Sequence, residues 1–108
     1  MTFKSAALAL ANVALPPTPY TCPVTGEQAY IKRLTVAERE AYGNAVLGAP
    51  KNQSNAVAFV KIVCDKDGKL LFDDNDIDTV LNMPAELVDK AIEVFSKPPA
   101  TIEQAEKN

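Results

Sequence analysis

Apolar residues near the N-terminus recur at helical spacing. Phe3, Ala7, Leu10 and Ala14 align, with Leu8 and Leu15 beside them, and the pattern predicts a helix over residues 2–15. Pro16, Pro17 and Pro19 then impose an extended connector, because proline lacks an amide donor and restrains the residue before it. Two strand-like runs, 20–24 and 28–34, flank Thr25-Gly26-Glu27, where Gly26 can take positive φ, and predict a hairpin. Pro23 puts its first strand at an edge. On the second strand Tyr30, Lys32 and Leu34 share one face and Ala29, Ile31 and Arg33 the other, so neither is cleanly apolar and the sheet must rest on helices.

Thr35-Val-Ala-Glu38 is a capping box, in which hydroxyl and carboxylate satisfy amides that the first helical turn leaves free. It predicts a helix over 36–47, stopped by Gly48 and Pro50. Residues 55–64 form the most hydrophobic stretch; periodicity fits helix or buried strand, and Ser54 or Asn55 as a cap favours helix. Asp65-Lys-Asp-Gly68 is a tight turn leading into an extended 69–72. Asp74, Asn75 and Asp76 are competing caps for a short helix over 73–83, with Ile77, Val80 and Leu81 as its apolar positions. Pro84 then opens the cleanest amphipathic helix, whose stripe is Leu87, Val88, Ala91, Ile92 and Phe95, and Pro98-Pro99 ends it. The predicted fold is α+β and mainly α-helical, with four to five short helices and one small β-hairpin. Residues 1–97 read as one globular domain and 98–108 as a polar, flexible C-terminal tail.

Composition narrows the chemistry. A chain of 108 residues that is 47% hydrophobic can bury one core, and without Trp that core leans on Ala, Val, Leu and Ile. The net charge of −3 argues against nucleic-acid binding, which needs clustered Lys and Arg. Charge is unevenly spread: residues 1–64 carry six basic and three acidic side chains, residues 65–108 five basic and eleven acidic. The acidic half either faces a basic partner or is plain solvated surface.

The sequence holds no histidine, which removes imidazole bases, Ser-His-Asp and Cys-His pairs and His metal ligands. The carboxylates of residues 73–78 read as helix caps, not as an acid–base pair. An EF-hand alignment on Gly68 puts Val63 at the first ligand position, which speaks against calcium. Cys22 and Cys64, 42 positions apart, belong to no metal or redox motif and read as small buried apolar residues. The run after Lys4 resembles a signal peptide, yet Asn12 interrupts it and Pro16-Pro17 ends it, and no stretch reaches the roughly 20 apolar residues of a membrane span. The expectation is an intracellular protein without catalytic residues, cofactor or metal.

Four stretches, taken in order, carry a resemblance: Ala29-Tyr-Ile-Lys-Arg-Leu-Thr-Val-Ala-Glu-Arg-Glu-Ala-Tyr42, Phe59-Val-Lys-Ile-Val-Cys-Asp-Lys-Asp-Gly68, Lys69-Leu-Leu-Phe-Asp-Asp-Asn-Asp-Ile77, and Met83-Pro-Ala-Glu-Leu-Val-Asp-Lys-Ala-Ile92. Their succession resembles the tail assembly chaperones of long-tailed bacteriophages: a strand, a Leu-Thr capping start, an apolar helix, an Asp-Gly turn with Phe, then Leu-Pro-Ala, where this chain has Met83 for Leu. The resemblance implies a protein of the host cell cytoplasm that binds the tape measure protein while tail tube protein subunits polymerise. It also implies a longer frameshifted form, for which a purine-rich codon run at Glu106-Lys107-Asn108 is a candidate slip site.

Such a chaperone would cover a client's apolar face with an exposed stripe of its own. Phe3, Leu8, Leu10, Val13 and Leu15 are the candidate partner-binding residues; core packing or self-association would use the same stripe. Neither nucleic acid nor membrane is expected as a partner. A tail completion or connector protein shares the size and the absent chemistry, and a small secreted inhibitor is a further alternative.

Overall fold

A computed structural model describes residues 2–97. In chain order the elements are α1 (Phe3–Ala9), β1 (Thr18–Thr21), β2 (Gln28–Ile31), α2 (Val36–Leu47), α3 (Ser54–Ile62), β3 (Val63–Cys64), a 3-10 turn (Asp74–Asp76), α4 (Ile77–Val80) and α5 (Ala85–Ser96). The fold is α+β, with five helices and a small antiparallel sheet in the order β1-β2-β3, and roughly half of the chain is helical. The expected flexible tail, 98–108, lies outside the described residues.

The core forms around α3. Ala56, Val57, Ala58, Phe59, Val60 and Ile62 are all buried, so the helix is apolar on nearly every side and has to be enclosed. Tyr20 and Ile31 of the sheet, Val80 of α4, and Val88 and Ala91 of α5 close over it. Phe59 also meets the Phe72 ring at 5.3 Å. Residues 55–64 thus divide where the sequence predicted one helix. At Val63 the backbone becomes extended (φ −81°, ψ 126°), and Val63 and Cys64 pair with Ile31 and Tyr30. The Lys32 amide donates to the Ile62 carbonyl at 2.8 Å, so the helix passes into the sheet without a loop. The cap is also displaced, because Gln53 stands before the first turn and gives no side-chain bond.

The sheet is larger than one hairpin. The Asp65 carboxylate accepts from the amides of Asp67 and Lys69 at 2.9 and 3.0 Å, Gly68 takes φ +85°, and Leu70 bridges back to Cys64. The first hairpin is shorter and earlier than predicted, pairing Thr18 with Ile31 and Thr21 with Gln28. Its reversal already begins at Cys22, whose carbonyl accepts from the Gly26 amide, so Pro23 falls in the turn and Pro19 is the proline of the edge strand.

Local signals elsewhere hold. The Thr35 hydroxyl accepts from the Glu38 amide at 3.2 Å while the Thr35 amide donates to the Glu38 carboxylate at 3.0 Å. That bond, helped by Lys32 at 3.3 Å, holds the Glu38 carboxyl below its usual range. In the 73–83 segment Asp73 caps a 3-10 turn, accepting from the Asn75 amide at 2.8 Å, while the Asp76 carboxylate accepts from the Asp73 amide at 2.9 Å. Of the three expected caps only Asp76 holds such a place, standing also at the N-cap of the short α4 without a side-chain bond to it. Pro84 stands just outside α5 as its N-cap, where its missing amide costs nothing. Val88 and Ala91 of the α5 stripe are buried, and Leu87, Ile92 and Phe95 are half-buried. The buried Tyr20 hydroxyl donates to the Leu87 carbonyl at 2.6 Å and ties β1 to the first turn of α5.

The cysteines part company. Cys64 is buried, and burial pushes its thiol up to about 11; Cys22 is half-buried, and bonds from the Thr25 hydroxyl and the Thr25 and Val24 amides hold its thiol below the ordinary value. Only Cys64 matches the expected small apolar core residue.

Three outcomes follow from this packing. Phe59→Ala should cost about 3–5 kcal/mol in urea unfolding, whereas Leu47→Ala, at a side chain 87% exposed, should stay within about 0.5 kcal/mol. With a thiol reagent at pH 8 one cysteine, Cys22, should react at once and Cys64 only with global unfolding. Burial raises Cys64 from 9.0 to about 11 and Tyr20 from 10.0 to about 12, so the folded state keeps protons that the unfolded chain releases. Stability should therefore be intact below pH 9 and fall as pH rises towards 12, and Tyr20→Phe should flatten the upper part of that loss.

Candidate interaction surface

Among the described residues, Phe3, Leu8, Leu10 and Val13 bring four exposed large apolar side chains together within eleven positions at the N-terminus, while Val36 and Leu47 of α2 stand singly exposed elsewhere. The Thr2 hydroxyl accepts from the Ser5 amide at 3.2 Å and starts α1, which has no buried residue. Phe3 is 88% and Leu8 65% exposed, and Leu10 and Val13 are about half exposed. The helix is shorter than the predicted 2–15: Leu10 is its C-cap and Asn12 turns the chain with φ +65°, a conformation that Asn tolerates better than most residues. The five residues singled out from sequence are consequently not one stripe. Phe3 and Leu8 lie on the helix, Leu10 and Val13 in the turn that ends it, and Leu15 is half-buried beside a groove.

That groove, of about 370 Å³, runs between the segment joining β2 to α2 and the last turn of α5. Leu15, Ile31, Leu34, Val94 and Phe95 give it an apolar lining, and Lys32, Arg33, Arg39 and Lys97 surround them with positive charge. Arg39 sits 5.6 Å over the Phe95 ring, whose other neighbour is Tyr42 at 4.9 Å. Lys32 pairs with Glu38 at 3.3 Å and Lys97 with Glu93 at 3.2 Å, and the Lys97 bond holds the Glu93 carboxyl below its ordinary range. A second groove of about 200 Å³ shares Lys32 and Leu34 and is completed by Glu38, Ala41, Tyr42, Lys61 and Leu70.

Sequence reasoning did not find this surface. Its cations come from 32–39 and 97, and only the packing of α5 against the sheet, with Phe95 meeting Arg39 and Tyr42 of α2, brings them together. The one available signal was the basic excess of residues 1–64. Of the carboxylates of 65–78, Asp65 closes a turn and Asp73 caps the 3-10 turn, while Asp74 pairs with Lys61 of α3 at 3.1 Å. Among the described residues, no helix is long and apolar enough to cross a membrane.

No protein-family model and no curated protein sequence matches the chain. In fold it is similar to a solved structure, the tail assembly chaperone of bacteriophage HK97, with a TM-score of 0.52 and 17% sequence identity, over 92% of this chain and 100% of that one. At that identity the likeness is one of fold.

Proposed function

We propose that the chain is a phage tail assembly chaperone that works by contact alone in the cytoplasm of the infected host, binding the tape measure protein as the tail tube protein assembles. The observation that carries this reading is the shared fold combined with an apolar N-terminal segment left open to water. A large apolar side chain gains about 1.5–3 kcal/mol when it is buried. Phe3, Leu8, Leu10 and Val13 forgo that gain within this chain and can realise it against a client, less the cost of ordering the segment. A client that is a long helix before assembly exposes the matching face. The absence of histidine from the sequence fits a protein that makes and breaks no covalent bonds.

Co-expression with the tape measure protein of the same genome tests the reading: the two should co-purify, and the client should remain soluble. Phe3→Asp with Leu8→Asp should abolish co-purification while moving the stability of the chain by no more than about 0.5 kcal/mol each, since both side chains face solvent. Aggregation of the client in the presence of the intact chain would overturn the proposal.

A further inference from the structure

We infer that the groove between the β2–α2 segment and the end of α5 receives an acidic, amphipathic segment of a partner polypeptide. The inference rests on the reading above only in taking the partner to be a polypeptide; it adds the surface and the charge that the partner must carry.

The chain has a net charge of −3, yet four cations stand around this one groove. Two of them are already answered, Lys32 by Glu38 and Lys97 by Glu93. The two arginines are not: neither Arg33 nor Arg39 forms an ion pair with a described residue, and neither guanidinium donates a hydrogen bond to one. A guanidinium carries five donors in a planar fork that matches a carboxylate in bidentate fashion. Arg39 is steadied over the Phe95 ring, a contact that uses its face and leaves the N–H edge available.

Between the cations lies apolar lining that includes Leu34 and Phe95. Charge alone would suit any anion, and apolar lining alone any greasy segment. Together they suit a helix or strand that alternates leucine-like and carboxylate side chains. Nucleic acid fits less well, because Glu38 and Glu93 stand beside the same cations and would repel a phosphate chain.

Fluorescence anisotropy on the full chain provides the test. The probes are a labelled helical peptide with Leu at positions i, i+4 and i+7 and Glu elsewhere, the same peptide with Lys for Glu, and a labelled oligothymidine. The intact chain should bind the Glu peptide about tenfold or more tighter than the Lys peptide, and 0.5 M salt should weaken that binding several-fold. Arg33→Glu with Arg39→Glu should cost about tenfold or more and reverse the preference, while Arg33→Lys with Arg39→Lys, which keeps the charge and the fold, should lose only part of the affinity. Equal binding of the two peptides, affinity unchanged by charge reversal, or preference for the oligothymidine would overturn the inference. So would a change of oligomeric state on charge reversal without loss of peptide binding, which would assign the groove to a second copy. Removing residues 98–108 should leave affinity unchanged; a tenfold gain would instead make the chain's own tail the occupant. A failed peptide experiment beside intact co-purification with the tape measure protein would discard the groove and keep the chaperone reading.

Discussion

Helix α3 is apolar nearly all the way round, and a segment of that kind persists in water only when neighbours cover every side. Most of the described fold beyond α1 serves as that cover. The sheet contributes Tyr20 and Ile31, α4 contributes Val80, and α5 contributes Val88 and Ala91. Because α3 continues directly into β3, its C-terminal end is held by main-chain bonds to β2 as well as by packing. Small residues matter here: Ala56, Ala58 and Ala91 let backbones approach, so a chain without Trp reaches a closed interior with few aromatic rings.

The elements legible in the sequence were those whose determinants lie within a few residues of one another. The Thr35–Glu38 capping box, the Asp65–Gly68 turn and the α5 stripe each carry their own reason to form. What escaped depends on distant partners. β3 is two residues long and has no strand pattern of its own; it is a strand because Ile31 and Tyr30 offer free edge groups beside it. The end of α1 escaped for a different reason: the apolar repeat continues past Ala9, but no tertiary contact rewards further helix, and the chain turns at Asn12 instead.

The same distinction separates the two surfaces. The exposed N-terminal residues could be named from spacing, although the helix gathers only Phe3 and Leu8 of the five. The cationic groove could not, since Arg33 and Arg39 meet Val94 and Phe95 across more than fifty positions of chain. Within the fold part of the charge asymmetry acquires a location: Asp65 and Asp73 of the second half close local turns, while Lys32, Arg33 and Arg39, three of the six basic side chains of the first half, stand with Lys97 around one apolar hollow.

The Pro16–Pro19 region separates these roles physically. Beyond the turn at Asn12, three prolines in four positions hold an extended path into β1, whose Pro19 occupies the sheet edge where no ladder bond is lost. Ordering this connector costs less than ordering an equal length of freer chain, because proline restricts the unfolded state as well. The segment before it therefore stays outside the core without being detached from it, and Leu15, at its end, already lines the groove. An apolar client lying on Phe3 and Leu8 would thus be led towards Arg33 and Arg39, and a segment carrying both leucines and carboxylates would satisfy the two surfaces in succession. On the proposed reading, binding there would draw mainly on Phe3, Leu8, Arg33 and Arg39, side chains that the core does not use, so affinity could change without loss of fold, a separation suited to holding and then releasing a partner.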